Sequence, residues 1–274
     1  MIGEEKDIIG FDALTLDYAV PFPLSLVVSR VTLTRYQLLF RYLLSLRHLE
    51  TLLISSWNEH MKVKSWRHKS SDKRIEDWKR RAWTLRSRML CFVQQLLYFC
   101  TSEVIEPNWA SFMSRLHAAE DAKGTLQANK VKRTVDELMQ DHVDFLATCL
   151  KECMLTNSKL LRINSKVMAT CTMFANYTAS LSRNLAAADP DIAVKTNDAG
   201  GDASKASVHD PARLEKLVDN LQRFEDNFSR HLKILLDALN YLAATETVVF
   251  LGLCARLSMA NEGVGGVGPV GAYG

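Results

Sequence analysis

Glycine and proline are scarce in this sequence, with 12 and 6 residues among 274. An all-β fold needs many turns, which draw on both residues, so the shortage argues against a sandwich or a barrel. The sequence also lacks a long apolar run, since the one near its C-terminus covers only residues 248–255, against the ~20 residues of a membrane-spanning helix. The hydrophobic content of 47% is instead enough for a large core built from long helices.

Paired cysteines and a strong charge of one sign are absent as well. The six cysteines lie singly in apolar periodic segments, without a CxxC pair, at positions 91, 100, 149, 153, 171 and 254. The first residues, MIGEEKDIIG, have neither the basic nor the apolar region of a signal peptide, so we expect reduced core cysteines in a cytosolic protein. The net charge of +3 is too near neutral to require a nucleic-acid partner.

A period of two residues near the start predicts one short strand. Apolar side chains at Leu14, Leu16, Tyr18 and Val20 alternate with smaller or polar ones before prolines 21 and 23 end the pattern. Alternation of this kind is typical of a half-buried strand.

Periods of three and four residues dominate the rest of the chain and predict helices. Thr32 or Thr34 is the expected cap of the first helix, Pro107 is expected to end the second, and Thr156 or Asn157 should cap the fifth. We expect the last helix, because of its length, to be kinked or broken once. The predicted ranges are about 33–60, 77–104, 109–120, 131–154, 157–185 and 212–260.

These segments predict an all-α fold, an elongated antiparallel helical bundle preceded by a short extended or strand segment. The helical domain should cover residues 12–260, after a disordered N-terminus at 1–11. Residues 186–211 are rich in Gly, Pro, Asp and Ser, which predicts a disordered insert, and 261–274 should form a flexible Gly-rich tail.

Two possible functional motifs fail on their context. The string GVGGVG at 263–268 matches a dinucleotide-binding pattern, but no strand precedes it and no helix follows it. His142, Cys149 and Cys153 share one helical face, yet their spacing is too long for one ion and they complete an apolar stripe, so we interpret them as core. We therefore predict that the chain has no catalytic, cofactor-binding or metal-binding residues and that it is not an enzyme.

Residues 57–88 form the one strongly basic stretch, with 11 Lys or Arg against four acidic residues. Trp57, Trp66, Trp78 and Trp83 are interleaved with them, as in surfaces that stack bases and bind phosphates. The favoured interpretation is a solvated connection and helix face, followed by an acidic protein partner and then by nucleic acid.

Several blocks, taken in order, resemble the C-terminal GRIP domain of gamma-tubulin complex proteins, most of all the component 2 members. They are LDYAV at 16–20, PLSLVVSR at 23–30, LTRYQLLFR at 33–41, LRSRML at 85–90, EVIEPNW at 103–109, HVDFLATCL at 142–150 and LDALNY at 236–241. Three features depart from the family pattern: Phe22 where Trp is frequent, a basic insertion at 60–77, and the loop at 186–211.

The resemblance implies a module that binds γ-tubulin and positions it for microtubule nucleation at a microtubule-organising centre or spindle pole. Other complex components would be partners in the full-length context, because the N-terminal half that makes lateral contacts in the family is missing. We thus expect a fragment or an incomplete gene product, without a cofactor or a membrane partner. The predicted γ-tubulin contacts are residues of the family-like blocks whose side chains could lie at the surface: Asp17, Tyr18, Arg30, Arg35, Tyr36, Arg41, Glu103, Glu106 and Trp109.

A helical adaptor is the alternative. It would bind another acidic protein or RNA through the basic stretch at 57–88.

Overall fold

The computed structural model of the chain describes residues 10–121, 134–192 and 211–262. Over these residues the predicted all-α fold is confirmed, since they contain helices and no strand. The main α-helices are α1 (Gly10–Ala13), α2 (Arg30–Lys62), α3 (Lys64–Arg67), α4 (Lys73–Tyr98), α5 (Glu106–Asp121), α6 (Val135–Glu152), α7 (Ser158–Ser180), α8 (Ser182–Ala188), α9 (Pro211–Thr245) and α10 (Phe250–Glu262).

The chain divides into two compact units. Unit 1 comprises residues 1–48 and 96–161, and unit 2 comprises 49–95 and 162–274. Because α2 and α4 are long, each contributes residues to both units.

The predicted strand at 14–20 is wrong. Residues 14–20 have no regular secondary structure, and the side chains of Leu14, Leu16 and Tyr18 are 46%, 53% and 70% exposed. A strand is stable only when a neighbour pairs with its backbone, and the described residues offer no other strand. The alternating apolar residues therefore do not face a core through a sheet.

The first long helix, α2, begins earlier than predicted because Ser29 caps it, not Thr32 or Thr34. The Ser29 hydroxyl accepts a hydrogen bond from the backbone N–H of Thr32 (3.4 Å), and the Thr32 hydroxyl donates to the Ser29 carbonyl (2.7 Å). The buried positions of α2 recur every three or four residues, as its pattern indicated. After Thr32, which is also buried, they are Leu39, Tyr42, Leu46, Leu49, Leu53, Ser56 and His60.

Pro107 does not end a helix, contrary to the prediction. A π-helical segment at Phe99–Ile105 joins α4 to α5, and Pro107 lies in the first turn of α5. In this segment the N–H of Glu106 reaches back five residues to the carbonyl of Thr101. Since a proline ring collides with the carbonyl four residues earlier only in a regular α-helix interior, the wider π turn lets the helical path continue.

The ends of α6 and α7 follow local rules. Thr134 and Glu137 form a reciprocal capping box at the start of α6. At its end Met154 has φ 64°, and the next N–H donates to the carbonyl of Leu150 (2.9 Å), as in a Schellman motif. Asn157 caps α7, as predicted, accepting from the N–H groups of Lys159 and Leu160 at 3.1 and 3.2 Å.

The described part of the predicted insert begins as the end of a helix packed within unit 2. Helix α8 continues to Ala188, and Ala187, Ala188 and Asp189 are buried. Sequence composition missed this because alanine is equally compatible with a loop and with a tightly packed helix. Residues 193–210 lie outside the described residues.

The last predicted helix is broken once, as expected, between Thr245 and Phe250. The predictions for residues 1–9 and for the tail at 263–274 fall outside the described residues. Among the described helices, none combines the length and the apolar character that a bilayer crossing requires.

Candidate protein-binding surface

An unusual number of apolar side chains lie exposed at the start of unit 1. We call residues 11–28 the N-terminal segment; Tyr18 and Phe22 in it are 70% and 80% exposed. Folded proteins rarely leave so many large apolar side chains close together in water unless a partner covers them. The other exposed apolar residues of the segment are Phe11, Leu14, Leu16, Leu24 and Leu26.

The segment is held against the first half of α2. The ring of Phe11 stacks on His48, with centroids 4.2 Å apart, and the side-chain amide of Gln37 donates to the carbonyl of Leu16 (2.7 Å). A short 3₁₀ turn at Leu24–Leu26 then leads the chain into α2, with the N–H of Val28 bonding the carbonyl of Leu24 (2.9 Å). Side chains of the segment and of α2 thus share one side of unit 1.

The first half of α2 adds a polar and apolar stripe to this surface. Arg30, Thr34, Leu38 and Arg41 are all exposed, and their spacing of three or four residues places them on one face of the helix. We call these four residues the outer stripe. Together with the N-terminal segment it combines large apolar groups with two arginines, a composition that protein interfaces favour.

On another face of α2, Tyr36 joins an aromatic cluster. Its hydroxyl lies 2.8 Å from Nε2 of His142 on α6, and the His142 ring stacks on Phe112. Burial raises the pKa of Tyr36 and lowers the pKa of His142, so at neutral pH an uncharged phenol bonds an uncharged imidazole. Trp109 packs on Phe112 and Phe145 at centroid distances of 5.7 Å while 45% of it remains exposed.

The structure therefore places the predicted contact residues in three groups. Asp17, Tyr18, Arg30 and Arg41 lie in the N-terminal segment or the outer stripe and are exposed. Arg35 and Tyr36 point inward instead: Arg35 donates to the carbonyl of Val143 (3.4 Å), and the Tyr36 hydroxyl bonds His142.

The remaining three predicted residues lie around the start of α5. Glu103 is half-buried in the π segment, whereas Glu106 and Trp109 are exposed on the first turn of α5.

Sequence reasoning missed the strongest apolar members of the surface, which are Phe22, Leu24, Leu26 and Leu38. Three of them belong to a short segment between prolines and a helix, where no periodicity forces burial. The fourth, Leu38, lies in a run of consecutive apolar residues, and the sequence pattern does not show which of them face solvent.

The cysteines of unit 1 are packing residues, as predicted. Cys149 and Cys153 are fully buried, and burial raises the pKa of the Cys149 thiol to about 12. A hydrogen bond with Cys100 and burial together raise the pKa of Cys153 well above its usual range. Since thiols of this kind stay protonated, they are poor nucleophiles and poor metal ligands.

The basic stretch at 57–88 is not a stacking surface. Trp66 and Trp78 are 1% and 2% exposed, and the Trp66 ring lies within 6.2 Å of the rings of both Trp78 and Trp83. Trp66 and Trp78 therefore belong to the core of unit 2, and Trp83 packs against Trp66.

Several basic side chains of the stretch are also engaged inside unit 2. Lys79, 1% exposed, donates to the carbonyl of His68 (2.6 Å), and Arg81 forms an ion pair with Glu225. Arg86 lies 4.8 Å above the Trp57 ring.

Comparison with known proteins gives one consistent result. The family model described as Gamma tubulin complex component C-terminal matches residues 1–261. Spindle pole body component alp4 of Schizosaccharomyces pombe is 48% identical over 257 residues, which is 94% of this chain and 29% of alp4. Gamma-tubulin complex component 2 of Mus musculus is 32% identical over 265 residues, covering 93% and 26% of the two chains.

The chain spans less than a third of the length of these relatives. Its family match and its identities confirm the resemblance inferred from the sequence blocks, including the likeness to component 2. The chain belongs to the gamma-tubulin complex component family.

Proposed function

We propose that this chain is a γ-tubulin-binding module of a gamma-tubulin complex component. The match of the C-terminal family model to residues 1–261 carries the proposal. The exposed surface of unit 1, formed by the N-terminal segment and the outer stripe, supports it. Residues 16–20 and 23–28 of the segment and all four residues of the stripe lie in blocks that resemble the family.

The module would act by placement. By holding γ-tubulin in a fixed orientation it would help to present a template for αβ-tubulin, which lowers the barrier to nucleation without covalent chemistry. In a full-length protein, further segments and other complex components would arrange several such modules side by side. The site of action would be the cytoskeleton at a microtubule-organising centre or spindle pole.

The binding energy should come mainly from apolar residues and arginines. Tyr18, Phe22 and Leu38 are at least half exposed, and covering one such side chain contributes roughly 1.5–3 kcal/mol. Arg30 and Arg41 flank Leu38 on α2 and would orient an acidic partner. Arg35 and Tyr36 would support this surface from behind through Val143 and His142.

The experiment is a direct affinity measurement with purified γ-tubulin. Leu38→Asp and Arg41→Glu change the outer stripe, and Ile234→Asp and Lys233→Glu are matched controls on the exposed face of α9. We expect each outer-stripe variant to weaken binding at least about tenfold, because hot-spot residues typically contribute 2 kcal/mol or more. The controls should bind like the unchanged chain.

If the outer-stripe variants bind γ-tubulin as tightly as the control variants do, the proposed surface is contradicted. Loss of γ-tubulin binding only on charge reversal of Lys73 and Arg74, both exposed in the first turn of α4, would place the γ-tubulin site on the basic stretch instead. Failure of the unchanged chain to bind γ-tubulin would contradict the proposed function and leave the adaptor alternative. Lys79 is unsuitable for that test because its side chain is buried.

A further inference from the structure

The two segments that depart from the family pattern meet in unit 2. Ser70 and Ser71 follow α3 in the basic insertion, and Asp189 and Asp191 follow α8 in the divergent loop. The Ser70 hydroxyl donates to Oδ1 of Asp189 (3.0 Å), and the Ser71 hydroxyl donates to Oδ1 of Asp191 (2.9 Å). Two turns more than a hundred residues apart in sequence are thus joined by their side chains.

A third potential ligand lies at the same place. Nε2 of His68 is 3.6 Å from Oδ2 of Asp191, and one ligand atom from each of His68, Asp189 and Asp191 lies within 4.8 Å of the others. Ligands of a tetrahedral ion are ~3.4 Å apart, given metal–ligand distances of 2.0–2.2 Å. Small side-chain rotations would bring the three atoms to that spacing.

One carboxylate oxygen of this cluster is buried without a hydrogen-bond partner. Asp189 is fully buried and its Oδ2 is unpartnered, whereas Nε2 of His68 lies within ion-pair distance of Asp191. A carboxylate oxygen without a donor is costly in a protein interior. A cation bound by Oδ2 of Asp189 and Nε2 of His68 would supply the partner that this oxygen lacks.

Hydrogen-bond donors around the two carboxylates fix their orientation, as donors around metal ligands commonly do. Oδ1 of Asp189 is occupied by Ser70 and by the N–H of Asp191 (3.1 Å), which leaves Oδ2 available. Ser71 donates to both oxygens of Asp191 through its N–H and its hydroxyl. Hydrogen bonds behind the ligands are typical of tuned metal sites.

The turn carrying His68 is itself fixed. Lys79 donates to the His68 carbonyl (2.6 Å), and Glu76 accepts from the N–H of Ser70 (2.9 Å). His68 is therefore held on a fixed turn, which lowers the entropy lost when an ion binds.

We infer that His68, Asp189 and Asp191 form a binding site for a divalent transition-metal ion of the Zn²⁺ type. Imidazole with two carboxylates favours such an ion over Mg²⁺ or Ca²⁺, which prefer all-oxygen sites. Three protein ligands leave a fourth position for water, reached from the partly exposed side of Asp191. The ion would clamp the turn after α3 to the turn after α8. Sequence spacing gave no sign of it because the ligands are about 120 residues apart.

The test is Zn²⁺ binding by the whole chain, measured by metal analysis after dialysis and by calorimetric titration with Zn²⁺ alone. We expect one ion per chain. Asp189→Asn and Asp191→Asn should each weaken binding more than about 100-fold, and Ser71→Ala about 10–100-fold, the range for residues behind the ligands. Asp77→Asn, at an exposed carboxylate paired with Arg80, should bind normally.

A cysteine-based site would give a different pattern, so Cys153→Ser is included and should also bind normally. The inference is overturned if the unchanged chain binds no Zn²⁺, if both Asp variants retain it, or if Cys153→Ser loses it. Asp191 is partly exposed, so its variant should keep the fold and decides the matter even if Asp189→Asn does not. Zn²⁺ should raise the thermal midpoint of the unchanged chain and leave that of Asp191→Asn unchanged.

Discussion

The tryptophan cluster of unit 2 and the N-terminal segment of unit 1 differ in how deeply their aromatic side chains are buried. In unit 2, Trp66 and Trp78 are almost wholly buried, and polar clamps tie the turns around them. In unit 1, Tyr18 and Phe22 face solvent at 70% and 80% exposure. The tryptophan cluster stabilises the fold, whereas the aromatic side chains of the N-terminal segment remain available for binding.

The largest effect that would sharpen this contrast is a core deletion in unit 2. Trp66→Ala removes a ring that contacts His60, Trp78 and Trp83, and should cost about 3–5 kcal/mol of unfolding free energy. Trp109→Ala in unit 1, with nearly half of the ring exposed, should cost less than half as much. Urea denaturation followed by circular dichroism measures both, and equal losses would break the comparison.

Acid should weaken unit 2 through His60. This side chain is buried and stacks on Trp66 at 3.8 Å, and burial lowers its pKa from 6.5 to about 4. Its folded pKa lies below the unfolded one, so the contribution to stability is complete above pH 6.5 and is lost as the pH falls toward 4. The loss should reach about 2–3 kcal/mol.

The variant that isolates this effect is His60→Phe, which keeps an aromatic ring against Trp66. Its unfolding free energy should change less between pH 7 and pH 4.5 than that of the unchanged chain. A parallel pH dependence in both proteins would show that His60 is not the titrating group, leaving His142 and His231, whose pKa values burial also lowers.

A cap in unit 1 provides a middle-sized effect outside both aromatic regions. Asn157→Ala removes the acceptor for the first N–H groups of α7 and should cost about 1 kcal/mol, as helix caps usually do. Asn157→Ser should recover most of the loss. The thermal midpoint measures it, and no shift for Ala would mean that solvent satisfies these donors equally well.

The smallest effect on stability is expected where the effect on binding is large. Tyr18→Ala should leave the unfolding free energy within ~0.5 kcal/mol, because an exposed side chain away from special features contributes little. Its affinity for γ-tubulin should nevertheless fall. A stability loss as large as that of Trp109→Ala would show that Tyr18 serves the fold rather than the surface.

Much of the fold was accessible from the sequence because apolar residues at a helical period report burial directly. Trp78, Leu85 and Phe92, each seven residues apart in the helix predicted at 77–104, are all buried. Errors arose where the same residues suit two structures: the alternation at 14–20 could be read as a strand, and Pro107 as a helix end. The π segment depends on backbone geometry that no side-chain pattern encodes.

The candidate sites were less predictable for a related reason. Exposure of Leu24, Leu26 and Leu38 follows from how the N-terminal segment lies on α2, which needs contacts such as Gln37 to Leu16. His68 and Asp189 meet only after two turns distant in sequence pack in unit 2. Arg35 and Tyr36 were identified by family likeness, yet their inward bonds appear only in three dimensions.

Hydrogen–deuterium exchange of the chain with and without γ-tubulin tests the central claim most directly. If unit 1 presents the binding surface, γ-tubulin should slow exchange in residues 14–41 and leave the amides of α9 unchanged. Protection confined to residues 57–88 or to α9, with none in residues 14–41, would contradict the account.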